Sequence, residues 1–415
     1  MKERKSKLWR DLRALPREAW VLFGATLVNR AGSMVLPFLV LYLTKELGFS
    51  AATAGFTLLL YGVGALVAAP VAGWLADRYG PVPILRTSLL LSGTILLAFP
   101  LARSLAAVIA ATLLLAFVTE AFRPASMSLV GELVPAPQRK TAFAVNRLAI
   151  NLGMSVGPAA GGFLAAASFR SIFWVDGATS ILAGLILVAA VFRSHHRAAH
   201  DPGADSTLAG LRAHADPRFL FFLAAIFPVI LVFFQHLSTM PLFLVRELSV
   251  PVKSYGLLFS LNTLLIVFFE VPLNSATSHW PHKRTLALGA LLSGAGFGAM
   301  ALTHDIWAVA ATVVVWTVGE MLFFPAVSAY IADVAPERRR GEYMGLSQMT
   351  FGLAFMLGPW GGTAILDRFG SKTVWGTTFL LGLLAAALLV RLPEPRHTHA
   401  ETAVRVPDPA GPAEV

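Results

Sequence analysis

Twelve apolar stretches punctuate this chain, each close to the roughly 20 residues that a helix needs to cross a bilayer. They run over 19–43, 53–75, 82–101, 105–130, 139–166, 171–192, 218–244, 254–277, 284–303, 306–333, 341–366 and 373–391. In hydrocarbon a lone segment must satisfy its own backbone polar groups, so each stretch is committed to helix. Composition points the same way. Of 415 residues, 56% are apolar and 13% charged, where a soluble domain carries roughly 25% charged residues. That argues against a soluble enzyme, and the high hydrophobicity excludes intrinsic disorder. The chain has no cysteine, which removes disulfides, thiolate metal sites and cysteine nucleophiles.

A net charge of +10 invites a nucleic-acid reading, so the location of the charge decides. With the N-terminus placed inside, the segments on that side hold 23 Lys and Arg. The opposite loops hold seven: Lys45, Arg103, Arg170, Arg246, Lys253, Arg368 and Lys372. Arg30, Arg123 and Arg147 fall within spans. This bias puts both termini in the cytoplasm of a multi-pass inner-membrane protein. The positive charge then serves topology and contact with membrane lipid, and no nucleic acid is expected as a partner. Residues 1–18 are basic and lack a cleavage site at signal-peptide distance. Leu8, Leu12 and Leu15 lie at helical spacing, which fits a short helix in the headgroup layer or, equally, a disordered basic tail. Residues 392–415 read as a disordered cytoplasmic tail.

The polar, basic stretch 193–217 divides the spans six and six, giving bundles at 19–192 and 218–391. The halves repeat in sequence. With a shift of 201, Pro124 falls on Pro325, Glu132 on Asp333, Pro135 on Pro336, Arg139 on Arg340, Gly157 on Gly358 and Pro158 on Pro359. Two copies of one six-helix unit, related by an axis along the membrane normal, account for such a match.

Two motifs narrow the reading. Between the second and third spans stands Gly73-Trp74-Leu75-Ala76-Asp77-Arg78-Tyr79-Gly80. The fifth span carries Gly153-Met154-Ser155-Val156-Gly157-Pro158-Ala159-Ala160-Gly161-Gly162. With two six-helix halves and a basic central loop, these resemble the major facilitator superfamily over nearly the whole length. The first motif is similar to its loop signature G-x-L-A-D-R-x-G-R-K, and departs from it where Pro81, Val82 and Pro83 replace the closing cations. Gly73 lets the second span approach a neighbour, Gly80 supplies an unrestricted turn, and Asp77 with Arg78 can form a gating latch on the opposite half. The corresponding loop of the second half, Ser278 to Arg284, has lost the acid. The second motif is similar to the G-x-x-x-G-P-x-x-G-G that the superfamily associates with antiporters. Gly153, Gly157, Gly161 and Gly162 allow tight helix packing, and Pro158 can kink the span.

The resemblance implies an all-α membrane protein of twelve transmembrane helices in two pseudo-symmetric six-helix bundles, working by alternating access. It also implies that spans 1, 4, 7 and 10 line a central cavity, which places Asn29, Arg30, Glu120, Arg123, Gln235, His236 and Glu320 there. Ionisable residues in a membrane cost about 2.5–3.5 kcal/mol each on insertion scales, so each marks a function or a pair. Glu120, Glu320 and then Glu270 are the proton-coupling candidates; Asn29, Arg30, Arg123, Gln235 and His236 are the substrate-binding ones. Glu120 and Arg123, three apart, are placed to pair, whereas Glu320 shows no partner in its next turn. Arg147 and Asp176 lie nearer span ends and can snorkel. Phe38, Phe117, Phe234, Trp316 and Phe323 offer an apolar wall.

Helix 4 lacks the arginine that drug antiporters usually carry well before its proline. No G-x-x-x-x-G-K-[ST] loop is present, so ATP does not drive the cycle. No cofactor, metal site or catalytic residue is expected; the partners are a small-molecule substrate and protons, with the chain acting as a monomer. The expected function is export of small amphipathic or drug-like solutes by proton antiport, that is, multidrug efflux. A second reading is a proton-coupled peptide or amino-acid transporter: Asn29-Arg30-Ala31-Gly32-Ser33-Met34 with Tyr42-Leu43-Thr44 resembles the E-R-F-x-Y-Y region of that group, without its acid and both tyrosines.

Overall fold

The computed structural model describes residues 14–192, 216–336 and 339–393. Of the basic segment read over 1–18 only residues 14–18 are described, with Leu15 buried, and the tail read over 392–415 and the linker lie almost wholly outside the described residues. Among the described residues, twelve helices are long and apolar enough to span a membrane. They are α1 Arg17–Glu46, α2 Ala51–Tyr79, α3 Pro81–Leu101, α4 Leu105–Leu133, α5 Ala136–Ala167 and α6 Phe169–Ala189 in the first half. The second half holds α7 Pro217–Glu247, α8 Val252–Thr277, α9 His282–Leu302, α10 Ile306–Val334, α11 Arg340–Phe369 and α12 Ser371–Val390. Side-chain oxygens cap several starts, as Ser50 does for Thr53 N and Asp305 for Trp307 N and Ala308 N. At the far ends of α2 and α11 the chain turns at Gly80 (φ 83°) and Gly370 (φ 78°), conformations that only glycine adopts without strain.

Three spans are broken, which apolar length alone does not reveal. In α1 the α-helix stops at Gly32 and restarts at Val35. In α7 it stops at Phe233 and passes through a 3-10 turn, Phe234–Leu237, before restarting at Thr239. In α4 the break falls at Ala121. The repeat is nevertheless carried to single residues: α1 and α7 both end in a wide π turn, Tyr42–Glu46 and Phe243–Glu247, offset by the same shift.

Packing follows the repeat. Helix α1 lies against α5 and α6 as α7 lies against α11 and α12; α3 pairs with α6 as α9 pairs with α12. The halves meet along two seams, α2 with α11 and α5 with α8. At the end where α1 turns into α2 and α7 into α8, one apolar cluster draws on both halves, with Phe38 and Tyr255 in edge contact at 5.2 Å. At the end where α6 stops and α7 starts, each half keeps a cluster of its own. The halves are therefore closed at one end, and the space between them opens at the other, the linker end.

Candidate functional site

The first half builds its charged site around the break in α1. Met34 N and Val35 N, the free donors of the restarted helix, are held by Asp176 Oδ2 of α6 at 3.1 and 3.0 Å. Asn29 donates to Ser180 Oγ of the same helix at 3.1 Å, so this candidate ligand is tied to α6. Three glycines of the α5 motif fit against the break. A Cβ on Gly157 would stand 3.1 Å from the carbonyl oxygens of Arg30, Ala31 and Ser33; on Gly153 it would meet Arg30 Cβ at 2.6 Å, and on Gly161 Met34 Cβ at 2.7 Å. Gly162 instead faces Lys253 and Gly256 of α8, across a seam. Helix α5 runs through Pro158 unbroken.

Close packing on α5 aims Arg30 at α4. Its guanidinium lies over the Phe122 ring, 5.6 Å from the centroid. Glu120, Tyr61, Asp176 and Arg123 are the charged or ionisable groups that act on it. Yet Arg30 has no ion pair among the described residues, and its buried Nε has no hydrogen-bond partner. Glu120 takes a hydrogen bond from Tyr61 Oη at 3.1 Å. The expected Glu120–Arg123 pair does not form: Glu120 is held by Tyr61, and Arg123 is exposed.

In the second half the break in α7 is held by Gln235. Its Nε2 donates to Leu231 O at 3.0 Å and to Gly358 O of α11 at 2.8 Å, while its Oε1 accepts from Thr239 Oγ1 at 2.9 Å. Read from sequence as a substrate ligand, Gln235 is instead buried and consumed by helix packing. His236 places Nδ1 2.6 Å from Phe233 O and is stacked near Trp316, enclosed among rings.

Glu320 stands on the wall of a cavity of about 470 Å³ between α5, α8 and α10, together with Arg147, Asn151, Glu270 and Phe324. This volume falls in the usual range of small-molecule sites. Glu320 has no partner in its next turn but finds one on another helix: Asn262 Nδ2 of α8 donates to Oε2 at 2.7 Å and to Thr317 Oγ1 at 3.1 Å. Glu270 reaches across the seam to Arg147, Nη2 to Oε1 at 2.8 Å. Arg147 thus joins the two halves, and Asp176 caps a broken helix.

An aromatic path joins the two charged sites. Tyr61 contacts Phe355 of α11 with centroids 5.9 Å apart, Phe355 contacts Phe234 at 5.0 Å, Phe234 contacts Phe233 at 5.7 Å, and Phe233 contacts Phe324 on the cavity wall at 5.0 Å. Of the wall expected from sequence only Phe234 takes part. Phe38 seals the closed end, and Trp316 and Phe323 are buried behind the path.

At the linker end, Gly73 does not meet a neighbour: nothing lies within 4 Å of where its Cβ would be. Arg78 lies over Trp74 and Tyr79. The Asp77 side chain falls outside the described residues. Arg86 closes the end of α6, donating to Leu187 O and Ala190 O at 2.9 and 3.0 Å. The loop of the second half, though it lacks an acid of its own, pairs His282 Nε2 with Asp333 Oδ2 of α10 at 2.9 Å.

Sequence reasoning missed Tyr61, Asn262 and the structural use of Asp176. The available signal was a polar residue well inside each span, a cost that membrane burial tolerates only with a partner.

Comparison with known proteins agrees with this architecture. The family model described as Major Facilitator Superfamily matches residues 21–252 and 236–413. The uncharacterized MFS-type transporter YqjV of Bacillus subtilis (strain 168) is 24% identical over 393 residues, 93% of this chain and 94% of that one. A Na(+), Li(+), K(+)/H(+) antiporter of Planococcus maritimus is 24% identical, covering 81% of this chain and 87% of its own. The quinolone resistance protein NorA of Staphylococcus aureus (strain COL) is 22% identical, covering 90% and 95%. Among solved structures, the nucleoside transporter NupG superposes with a TM-score of 0.78 at 13% identity, over 91% of this chain and 99% of that one.

Proposed function

Because the chain belongs to the Major Facilitator Superfamily, whose members are transporters, we propose that it exports small amphipathic or drug-like solutes across the cell's inner membrane in exchange for protons. The linker and both termini are placed in the cytoplasm, on the strength of the charge bias. The two bundles, with boundaries near 19–192 and 218–391, then rock about the cavity, and the linker-end opening is the cytoplasmic-facing state of that cycle.

The observation that carries the proton reading is Glu320. It is a carboxyl on the cavity wall, held by a single amide donor from Asn262. Beside it Glu270 is bound to the other half through Arg147. A carboxyl so placed can exchange its proton with water that enters the cavity. The adjoining ion pair can also report the relative position of the halves. Glu120, held by Tyr61, is the second candidate and Glu270 the third. Names among the relatives, a cation/proton antiporter and a quinolone resistance protein, favour exchange-driven export over peptide uptake. Asp77 and Arg78 act in this scheme as the latch of the opposite state, when the linker end closes.

The test is transport of a solute panel in proteoliposomes with an imposed pH gradient, for wild type and the Glu320→Gln, Glu120→Gln and Glu270→Gln variants. Glu320→Gln is expected to lose gradient-driven transport and keep substrate exchange without a gradient. If all three variants remain fully driven, the proton site lies elsewhere or the coupling ion is not a proton.

A further inference from the structure

Helices α2 and α11, one from each half, run antiparallel along their seam. Gly55 lies against Pro359 and Thr363, Gly62 against Phe355 and Met356, and Gly352 approaches Leu66. Each of the two helices ends in the same pattern. Helix α2 closes with Asp77-Arg78-Tyr79-Gly80 and α11 with Asp367-Arg368-Phe369-Gly370. In both, the arginine lies over the next ring, 5.5 Å from the Tyr79 centroid and 5.6 Å from that of Phe369. In both, a glycine at positive φ, 83° and 78°, hands the chain straight to a new helix at Pro81 or Ser371. Duplication does not account for the second copy. The shift of 201 carries Asp77 to Ser278, in a loop without an acid.

Because the pair is antiparallel, the two patterns stand at opposite ends of one seam. At the closed end, Asp367 Oδ2 accepts from Ala52 N, in the first turn of α2, at 2.6 Å. The next donor of that turn, Thr53 N, is taken by Ser50 of its own half. The bond to Ala52 thus joins the halves, and it sets a carboxylate at the positive end of a helix. Asp367 is exposed. Water can therefore replace each partner when they part, so the contact is one that can be made and broken; the buried cap at Asp176 is not.

We propose that Asp367 is the latch of the closed end. It holds α11 on α2 while the linker end is open and lets go when the halves rock the other way. This goes beyond the export reading, since it needs only that the halves change position, whatever the substrate or coupling ion. With Asp77 as the latch of the opposite state, a single helix pair carries one releasable charged contact for each state.

The test is the distance between spin labels on the purified full-length protein in lipid nanodiscs, with cysteines introduced into a chain that has none. Labels at Arg103 and His304 span the closed end, and labels at Arg17 and Ser278 span the linker end. Asp367→Ala is expected to raise the ratio of molecules open at the closed end to molecules shut there by about fivefold. It should also shorten the linker-end distance. Ala52→Pro removes the donor and leaves the acid, and it should match Asp367→Ala; proline is tolerated in a first turn, as Pro83 is in α3. Asp367→Asn, which keeps an oxygen and loses the charge, should fall between these and wild type. Should one of the first two variants not fold, the other decides together with Asp367→Asn. Unchanged distances at the closed end overturn the latch. So does a closed end that loosens while the linker end stays as in wild type, since the contact would then only pack a loop. No substrate or gradient enters the measurement, so either result leaves the export reading to its own test.

Discussion

Asp176 is the residue on which the shape of α1 most depends, and its replacement gives a graded expectation. The carboxylate of α6 accepts from Met34 N and Val35 N through one oxygen, and all three residues are buried. Alanine at this position strands two backbone donors away from water. An unsatisfied buried donor costs about 1–3 kcal/mol, so the two together cost about 2–6 kcal/mol. Asparagine keeps an oxygen where both donors point and loses the attraction of a negative charge to Arg30 and to a helix N-terminus, the latter about 1 kcal/mol and up to about 2 when partly buried. The expected order is wild type, then Asp176→Asn slightly below it, then Asp176→Ala well below both. Thermal unfolding of the purified protein in one detergent, followed through the monodisperse fraction that survives heating, reads this order directly. Equal stability of the Ala and Asn variants would show that the cap is not what holds the restarted helix.

Three further outcomes follow from the same geometry. Gly73→Ala should be neutral or stabilising by up to about 1 kcal/mol, since the site is open and alanine favours helix; Gly80→Ala should cost about 1–3 kcal/mol because its φ of 83° suits glycine alone, and thermal shifts compare the two. Arg147→Glu and Glu270→Arg should each lower transport, and the double exchange should recover it, because the pair bridges the halves; in stability the exposed pair is worth only about 0–1 kcal/mol. A cysteine at Ser206, in a chain that has none, should resist an impermeant thiol reagent outside intact cells and react after lysis; labelling from outside would reverse the topology.

How far the sequence could be read depends on the range of the forces involved. Span count and the two halves were legible because hydrocarbon imposes its demand on each segment alone, whatever its neighbours. The offset of 201 carried further than expected, down to the matching π turns at Tyr42–Glu46 and Phe243–Glu247. The breaks were not legible, because each is stabilised from a distance: Asp176 is 141 residues from Val35, and Gly358 is 123 from Gln235. The same limit explains the site residues. Gln235 looked like a ligand because it is polar and within a span; only the approach of α11 shows that its amide is used up. Glu320 looked solitary because its partner, Asn262, belongs to another helix.

The two breaks also explain why a duplicated scaffold carries an asymmetric site. Each half must interrupt the helix that crosses its centre, and each interruption frees backbone groups that need partners in a dry environment. The first half meets this with a carboxylate from α6 acting on the donors of Met34 and Val35. The second half meets it with the neutral amide of Gln235, bridging α7 and α11. A charged cap in one half and a neutral one in the other leave different remainders. The carboxylate keeps its charge while it accepts the two backbone donors and so still acts on Arg30, whereas the amide of Gln235 adds no charge beside the second break. The two repairs thus differ in charge, and a carboxamide at position 176 would be expected to keep the cap while removing a negative charge that acts on Arg30.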